Sequence, residues 1–227
     1  MIDWGWIVDH LGAIAGKAGQ HIELTAIALA VGFALSFALA LWAFRRPRIY
    51  FVVAGLGSVF YTIPSVAVFA VFIVISGPSL LTIEIPLVMY TFVIYIRNIV
   101  AGLNATPPDV AEAADGMGLT PRQRLIQVEL PLAVPLIVAG TRLASVSTIG
   151  LVTITVLVGV AFGGLGFFIT ERPFFPTEVL VGALGSVLLA VGADLLFARL
   201  QQRLTPWARV ASAIEPISAN PARSDAG

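Results

Sequence analysis

Five long apolar stretches dominate this chain and limit the folds that are open to it. Each contains roughly the twenty residues that an α-helix needs to cross the hydrocarbon core of a bilayer. Inside a bilayer the backbone has to satisfy its own hydrogen bonds, and apolar runs of this length do so as helices. The sequence therefore predicts an all-α, polytopic membrane helix bundle, with about five transmembrane helices at approximately 22–44, 49–76, 80–97, 132–158 and 178–199.

The composition supports a membrane location and argues against several classes of function. Of the 227 residues, 58% are hydrophobic and 11% are charged, whereas a soluble domain carries about 25% charged residues. The formal net charge is zero, which argues against nucleic acid as a partner. The chain contains no cysteine, so it has neither a disulfide framework nor thiolate chemistry. We expect an integral membrane protein surrounded by the lipid bilayer.

A polar segment, residues 106–131, separates the third apolar stretch from the fourth. Thr106 is a suitable helix N-cap, Pro107 suits the first helical position, and Asp109 falls near the positive end of the helix dipole. Gly118 can then end the helix in the left-handed conformation that glycine tolerates best. These signals predict a short helix in the first half of the segment.

The second half of the segment repeats the starting pattern. Thr120 is again a suitable N-cap, Pro121 follows it, and Gln123 stands three residues on, as in a capping box. We expect Pro131 to mark a bend where the chain re-enters the bilayer. Together the two halves predict a compact helical hairpin on the membrane surface, which we call the polar hairpin.

One spaced pattern within the polar hairpin is specific. Its members, in chain order, are Glu112, Ala113, Ala114, Gly118, Val128, Leu130 and Pro131. The pattern resembles the EAA loop of binding-protein-dependent ABC transporter permeases, with Val128 at a position where isoleucine is common. An ordinary interfacial loop with no partner is the alternative interpretation.

The resemblance implies a role for the polar hairpin. In the family, the short helix of the EAA loop sits in a groove of a cytoplasmic ATPase and passes nucleotide-driven motion to the transmembrane helices. The positions that this implies for ATPase coupling are Glu112, Ala113, Ala114, Asp115, Gly118, Leu130 and Pro131. The further partners that it implies are a second permease subunit, identical or paralogous, and an extracytoplasmic solute-binding protein.

Three further stretches narrow the resemblance. The sequences TIPS at 62–65, RNIVAGL at 97–103 and ELPLAVPLIVAGTR at 129–142 are similar to the osmoprotectant branch of these permeases. Members of that branch import glycine betaine, carnitine, choline or proline-like solutes. With the polar hairpin, the likeness covers most of residues 21–207. It implies a permease subunit of an ATP-driven importer that works by alternating access.

The second apolar stretch is interrupted near its middle by FYTIPS, residues 60–65. Pro64 lacks a backbone donor, and unpaired carbonyls at membrane depth are tolerated only where protein or a wet cavity satisfies them. The interruption therefore predicts either a simple kink or part of a translocation pathway. The candidate pathway residues are Phe60, Tyr61, Thr62, Pro64 and Ser65.

Charged and small residues inside the apolar stretches predict contacts between helices. Arg142 and Asp194 are costly at membrane depth, so they should face the bundle interior or reach the membrane surface. They could pair with each other, or Asp194 could be solvated near the inner surface. Spaced small residues, including Gly32 in the first stretch and Gly140 in the fourth, favour close helix packing within one bundle over a dimer interface. Glu84 is expected to lie at the outer membrane interface.

The basic residues predict an orientation. All of the 13 Lys and Arg except Lys17, Arg142 and Arg172 fall in segments on one side of the predicted bundle. By the positive-inside rule this side is cytoplasmic. The N-terminus is then outside, whereas the polar hairpin and the C-terminus are inside. The resemblance implies the cytoplasmic (inner) membrane of a prokaryote.

We divide the chain into three parts. Residues 1–21 contain two tryptophans and form an N-terminal interfacial segment. Residues 22–207 form the transmembrane permease domain, in which a short extra helix before the last span is left open. Residues 208–227 are small, polar and Pro-containing, so we expect a disordered cytoplasmic tail.

Motifs for catalysis are missing from the sequence. It contains no complete phosphate loop, no HExxH and no Cys/His cluster, so we predict no catalytic residue, no cofactor and no metal site. The chain should not hydrolyse ATP itself, and a separate ATPase would have to supply the energy. The alternatives are a related permease for another small solute, such as an amino acid, and a non-transporting membrane scaffold.

Overall fold

The computed structural model describes residues 2–159 and 162–206, which contain helices and connecting turns but no β-strand. The predicted tail at 208–227 lies outside these residues. The helices are α1 (Trp4–Asp9), α2 (Leu11–Ala43), α3 (Pro47–Thr62), α4 (Ser65–Ser76), α5 (Leu80–Asn104), α6 (Pro108–Gly116), α7 (Pro121–Arg124), a π-helical turn (Leu125–Glu129), α8 (Leu130–Ile154), a 3-10 turn (Thr155–Leu157), α9 (Gly166–Thr170) and α10 (Pro176–Leu204).

Five segments cross the bundle from end to end, as the apolar stretches predict. Four are helices long and apolar enough to span a membrane, and the fifth is the pair α3 and α4, bent by 92°. The pair joins opposite ends of the bundle. Arg46, just before α3, lies at the end that carries the polar hairpin, whereas Pro78, just after α4, lies beside Gly159 at the other end. We therefore count the bent pair as one broken span.

Helix α5 is the centre of the bundle. In its most apolar window 56% of the residues are buried, compared with 6% in α10. One cluster of buried apolar residues packs α5 against α2 and α8 near the polar hairpin, and a second packs it against α2 and α4 near the opposite end. Helix α10 packs against α8 and leaves most of its surface for lipid.

Two glycines allow the central helices to approach closely. A Cβ atom on Gly32 of α2 would lie 2.0 Å from Oγ1 of Thr91 in α5. A Cβ atom on Gly140 of α8 would lie 2.6 Å from Cβ of Asn98 in α5. A larger side chain at Gly140 would push α8 away from α5, and one at Gly32 would displace the Thr91 side chain. The small-residue stripes thus serve packing within one bundle, as expected.

The first membrane helix begins earlier than predicted. Helix α2 begins at Leu11, well before position 22, although this part of the sequence is rich in glycine and polar residues. Tertiary contacts stabilise the helix in this region. His21 is fully buried, and its Nε2 atom lies 3.0 Å from the Ile149 carbonyl oxygen. Its Nδ1 atom accepts a hydrogen bond of 3.3 Å from the Leu165 backbone.

The third span also extends beyond its predicted end at position 97. Helix α5 continues to Asn104, since Ile99, Val100 and Leu103 are buried in the bundle despite the polar residues before them.

Glu84, near the start of α5, is buried. The sequence predicts that it lies at the outer membrane interface, and in the structure only 7% of the residue is exposed. Both of its carboxylate oxygens lack a hydrogen-bond partner among the described residues.

The N-terminal helix α1 packs against the segment that leads into α10. The Trp6 ring contacts the rings of Phe168 and Phe175 edge-on, with centroid distances of 6.1 and 5.7 Å. The Asp3 backbone N–H donates to Oγ1 of Thr177 at 2.9 Å. The short helix that the sequence leaves open before the last span is α9. These contacts place the N-terminus at the end opposite the polar hairpin.

Candidate functional site

The first helix of the polar hairpin begins one residue later than predicted. Pro107 occupies the N-cap position without a side-chain cap, and α6 starts at Pro108. The hydroxyl oxygen of Thr106 is buried and makes no hydrogen bond with the described residues. The reason is the second proline, because a residue before proline is restricted to extended conformations. Pro107 has φ −59° and ψ 141° and so cannot be the first helical residue.

Helix α6 ends at a glycine, as the sequence predicts. Gly118 has φ +77°, and its N–H donates to the Asp115 carbonyl at 2.9 Å. The Leu119 N–H donates to the Ala114 carbonyl at 3.2 Å. This pair of bonds is the Schellman motif, which satisfies carbonyls at the helix end and reverses the chain.

The capping box after this turn is present in full. The side chain of Thr120 accepts from the Gln123 N–H at 3.3 Å, and Oε1 of Gln123 accepts from the Thr120 N–H at 2.8 Å. The second helix of the hairpin is, however, the start of the fourth span. Residues Pro121–Leu157 run on as one apolar helical segment.

Pro131 does not bend the chain, contrary to the sequence-based expectation. It lies in the first turn of α8, directly after the π-helical turn Leu125–Glu129. Proline removes one backbone donor and its ring crowds the carbonyl four residues earlier. A π turn adds one residue to the helix and shifts the hydrogen-bonding ladder. Here it accommodates Pro131 within a continuous helix. Leu130 and Pro131 are half-buried.

The EAA residues divide between two faces of α6. Glu112, Ala113 and Asp115 are exposed, and Met117 just after the helix is 73% exposed. Ala114 is 1% exposed and is the buried residue of this helix. The helix thus rests on the bundle through Ala114 and presents a glutamate, an alanine and a methionine outward.

A network of charged side chains ties α6 to the membrane helices. Nη1 of Arg124 donates to Oδ2 of Asp115 at 2.6 Å, and Nε donates to Oε1 of Glu129 at 2.9 Å. Nη2 of Arg45, just after α2, lies 3.6 Å from Oε2 of Glu129 and donates to the Pro121 carbonyl at 3.2 Å. The Glu129 side chain is 3% exposed. This carboxylate therefore connects α6, α8 and the end of α2.

The break between α3 and α4 lies where FYTIPS predicts it. Ile63 and Pro64 are extended, with ψ near 129°, so the two helices cannot share one axis. The hydroxyl of Tyr90 in α5 donates to the freed Ile63 carbonyl at 2.8 Å. Sequence reasoning missed Tyr90, because nothing near it in the chain indicates a helix break 27 residues away.

A cleft of about 320 Å³, which we call the outer cleft, lies at this break. Four of the predicted pathway residues line it, and α5 and α8 supply its other walls. Its lining includes Tyr61, Thr62, Pro64, Ser65, Tyr90, Ser147 and Thr148. Thr62 and Pro64 are exposed, so the cleft opens on the side of the bundle.

A second cleft of about 250 Å³, which we call the inner cleft, lies nearer the polar hairpin. It is lined by Tyr61, Val93, Ile94, Arg97, Asn98 and Leu143. Tyr61 and Ile94 line both clefts. Phe60, the fifth predicted pathway residue, lines neither of them and faces Met89 and Val93 instead.

The charges within the fourth and fifth spans pair with each other. Nε of Arg142 donates to Oδ1 of Asp194 at 2.8 Å, and Nη2 donates to Oδ2 at 2.9 Å. This two-bond geometry suits the planar guanidinium group. The pair joins α8 to the loosely buried α10. Of the two arrangements that the sequence leaves open, the structure contains the pair.

Comparison with known proteins identifies the family. The model for the binding-protein-dependent transport system inner membrane component matches residues 30–206. The chain is 32% identical to the osmoprotectant import permease protein OsmW of Salmonella typhimurium, over 88% of this chain and 96% of that protein. It is 35% identical to the glycine betaine/carnitine/choline transport system permease protein OpuCD of Bacillus subtilis, over 86% of each chain.

Solved structures share the fold. The chain is similar to an inward-facing form of the MetNI methionine ABC transporter, with a TM-score of 0.77 and 20% identity over 87% of this chain and 98% of that one. It is also similar to an amino acid ABC transporter solved with histidines, with a TM-score of 0.75 and 16% identity over 89% and 99%. With a family model that covers most of its length and relatives above 30% identity, the chain belongs to the family of binding-protein-dependent transport system inner membrane components.

Proposed function

We propose that this chain is the transmembrane permease subunit of an ATP-driven importer for compatible solutes of the glycine betaine, choline, carnitine or proline type. Relatives at 30% identity or more, named for osmoprotectants, choline or carnitine, cover most of the chain. The observation that carries the mechanism is the outward face of α6, held to the membrane helices through Glu129. An element with an exposed face and a rigid attachment can receive motion from a partner and pass it on.

The partner at the polar hairpin is a cytoplasmic ABC ATPase. Glu112, Ala113 and Met117 face outward and are free to enter a groove on it. When two ATPases close on ATP, they move α6. Arg124 transmits this movement to α8 through Glu129, and Arg45 transmits it to α2. The spans then alternate between outward-open and inward-open arrangements. ATP is hydrolysed by the partner and not by this chain.

The assembly contains two permease subunits, two ATPases and an extracytoplasmic binding protein. The outer cleft supports the second permease, identical or paralogous, because it opens on the side of one bundle and a second copy would close it. The pathway runs along the outer cleft, where Tyr61, Thr62, Pro64 and Ser65 line the wall. The volume of about 320 Å³ falls within the range of about 300–1,000 Å³ typical of small-molecule sites.

The chain resides in the cytoplasmic membrane of a prokaryote with its N-terminus outside and its C-terminus inside. Two arginines after α2, two in the polar hairpin and two near the end of α10 cluster at one end of the bundle. The positive-inside rule makes this end cytoplasmic. The opposite end, where α1 packs beside α9, receives the loaded binding protein.

The test is ATP-dependent uptake in vesicles that carry this chain with its ATPase and binding protein. Labelled glycine betaine is the cargo, challenged by choline, carnitine, proline and methionine. We expect uptake that quaternary amines and proline compete for and that methionine leaves unchanged. Competition by methionine alone would assign an amino acid cargo to the same machine. If no ATPase co-purifies with the chain, the transport function is rejected in favour of a non-transporting membrane scaffold.

A further inference from the structure

The two clefts form a continuous wall with a particular chemical composition. Tyr61 and Ile94 line both of them, so a solute that moves from the outer cleft toward the polar hairpin passes the Tyr61 ring. The outer cleft is bounded by hydroxyls and by two tyrosines. The inner cleft has Arg97 and Asn98 at its far end.

The aromatic part of the wall suits a cationic group. The rings of Tyr61 and Tyr90 are 5.8 Å apart at an angle of 68°. Two rings at such an angle form a corner, and quaternary ammonium groups bind against ring faces through cation–π attraction. The Tyr90 hydroxyl donates to the Ile63 carbonyl, which fixes this ring at the helix break. Tyr61 is 49% exposed and carries no such restraint from its own hydroxyl among the described residues.

Arg97 gives the inner cleft a positive charge. Among the described residues that line the two clefts, it alone is charged. Its guanidinium group donates to the hydroxyl of Ser58 and forms no ion pair within the part of the chain that the structure describes. Arginine without a carboxylate partner, in a cleft close to an aromatic corner, is a ready site for a carboxylate.

A solute with a quaternary ammonium and a carboxylate meets both features, whereas a pure cation meets repulsion from Arg97. We propose that Tyr61, Tyr90 and Arg97 form a solute-selective passage that favours zwitterions, such as glycine betaine and carnitine, over choline. This inference rests on the proposed function and specifies its cargo. It assigns Arg97 to carboxylate recognition and the tyrosine corner to the ammonium group.

The test uses the purified permease–ATPase complex without binding protein, so that the selectivity of the binding protein does not enter. Equilibrium binding of labelled glycine betaine and labelled choline is measured for the wild type and for Arg97→Gln. We expect glycine betaine to bind more weakly by about tenfold in the variant, the effect of one lost charge-assisted hydrogen bond. Choline should bind as before or more tightly, because the repelling charge is gone.

Three further variants separate this role from a structural one. Arg97→Lys keeps the charge and should retain a large part of the preference for glycine betaine. Tyr61→Leu should weaken the binding of both solutes, since both carry the quaternary ammonium group. Arg48→Gln removes an exposed arginine of α3 that lines neither cleft and should leave the ratio of the two affinities at the wild-type value.

The outcomes distinguish the inference from the proposed function. If Arg97→Gln weakens the binding of glycine betaine and of choline by the same factor, the proposed role of Arg97 is overturned, even if the vesicles transport both solutes. If the wild-type complex transports neither solute while it hydrolyses ATP with its loaded binding protein, the proposed cargo fails, and the inference fails with it.

Discussion

A single buried carboxylate, that of Glu129, connects three parts of the chain. It receives Arg124 from the polar hairpin and faces Arg45 from the end of α2. Asp115 holds the same Arg124 on its other side, so in the proposed mechanism these contacts carry a movement of α6 to α8 and to α2. Loss of the charge would leave two arginines without their shared partner.

We therefore expect Glu129→Gln to separate ATP hydrolysis from transport. The glutamine keeps the shape but not the charge, so the variant should lose about 1–2 kcal/mol of unfolding free energy, since both arginines are partly solvated. The ATPase should still bind, while solute uptake per ATP hydrolysed should fall several-fold. Thermal unfolding in detergent and paired uptake and hydrolysis rates measure the two effects. Glu23→Gln, which neutralises an exposed carboxylate of α2 outside the polar hairpin, is the control. An unchanged uptake-to-hydrolysis ratio would contradict this role of Glu129.

Gly118 is required by its backbone conformation and not by lack of space. Its φ is +77°, and a Cβ atom there would meet nothing within 4 Å. We expect Gly118→Val to disrupt the turn after α6, at a cost of at least about 1–2 kcal/mol for a left-handed residue, and to weaken ATPase binding in co-purification. Gly150→Ala is the control, because it adds a methyl group in open space within α8, outside the polar hairpin. Normal ATPase recovery with Gly118→Val would rule out the need for this turn.

At the level of elements, the bent pair α3 and α4 is the part of the bundle that departs most from straight spans. Its unpaired carbonyl at Ile63 is satisfied by α5, a different helix. The angle between the two halves is therefore set partly by Tyr90, and the outer cleft exists because the pair is bent.

We expect Tyr90→Phe to loosen this break. The variant leaves the Ile63 carbonyl without its donor, which should lower stability by about 1 kcal/mol and slow solute uptake because the outer cleft changes shape. Thermal unfolding and uptake at several solute concentrations test this. Tyr50→Phe is the control, since the hydroxyl of Tyr50 makes no hydrogen bond to the described residues. Equal behaviour of the two variants would show that the hydroxyl of Tyr90 does not shape the cleft.

For the whole molecule, the two ends of the bundle differ in charge and in contacts. One end carries the polar hairpin and most arginines, and the other carries α1, α9 and the loop with Phe174. Phe174 is 97% exposed and Met117 is 73% exposed, so each end offers a residue that a reagent in water can reach.

Single cysteines provide a direct test of the orientation, because the natural chain contains none. We expect Phe174→Cys to react with a membrane-impermeant maleimide in intact cells. Met117→Cys should react only after the membrane is opened. The reverse pattern would place the polar hairpin outside and remove its access to a cytoplasmic ATPase. Labelling of both residues in opened cells confirms that each is reachable.

The sequence predicts local features of this protein well and distant ones poorly. The Gly118 turn, the Thr120 capping box and the Pro64 break follow from residues that are neighbours in the chain. The start of α2 does not, because His21 is buried by partners more than a hundred residues away. The contact of Glu129 with Arg45 and the position of Arg97 beside Tyr61 also join residues that are distant in the chain, so they could not be predicted from the local sequence. The resemblance to the permease family identified the polar hairpin, but it did not identify the charged side chains that attach the hairpin to the membrane helices.

The ion pair between Arg142 and Asp194 has a consequence for how the protein is made. The partners are 52 residues apart in the chain, and synthesis proceeds at about 5–20 residues per second. Arg142 is therefore in the nascent chain for about 3–10 s before its carboxylate has been added. During that interval α8 can pack only against elements that precede it in the chain, and among these it packs mainly against α5 and α2. The arrival of α10, the last of the described helices, places Asp194 beside this arginine.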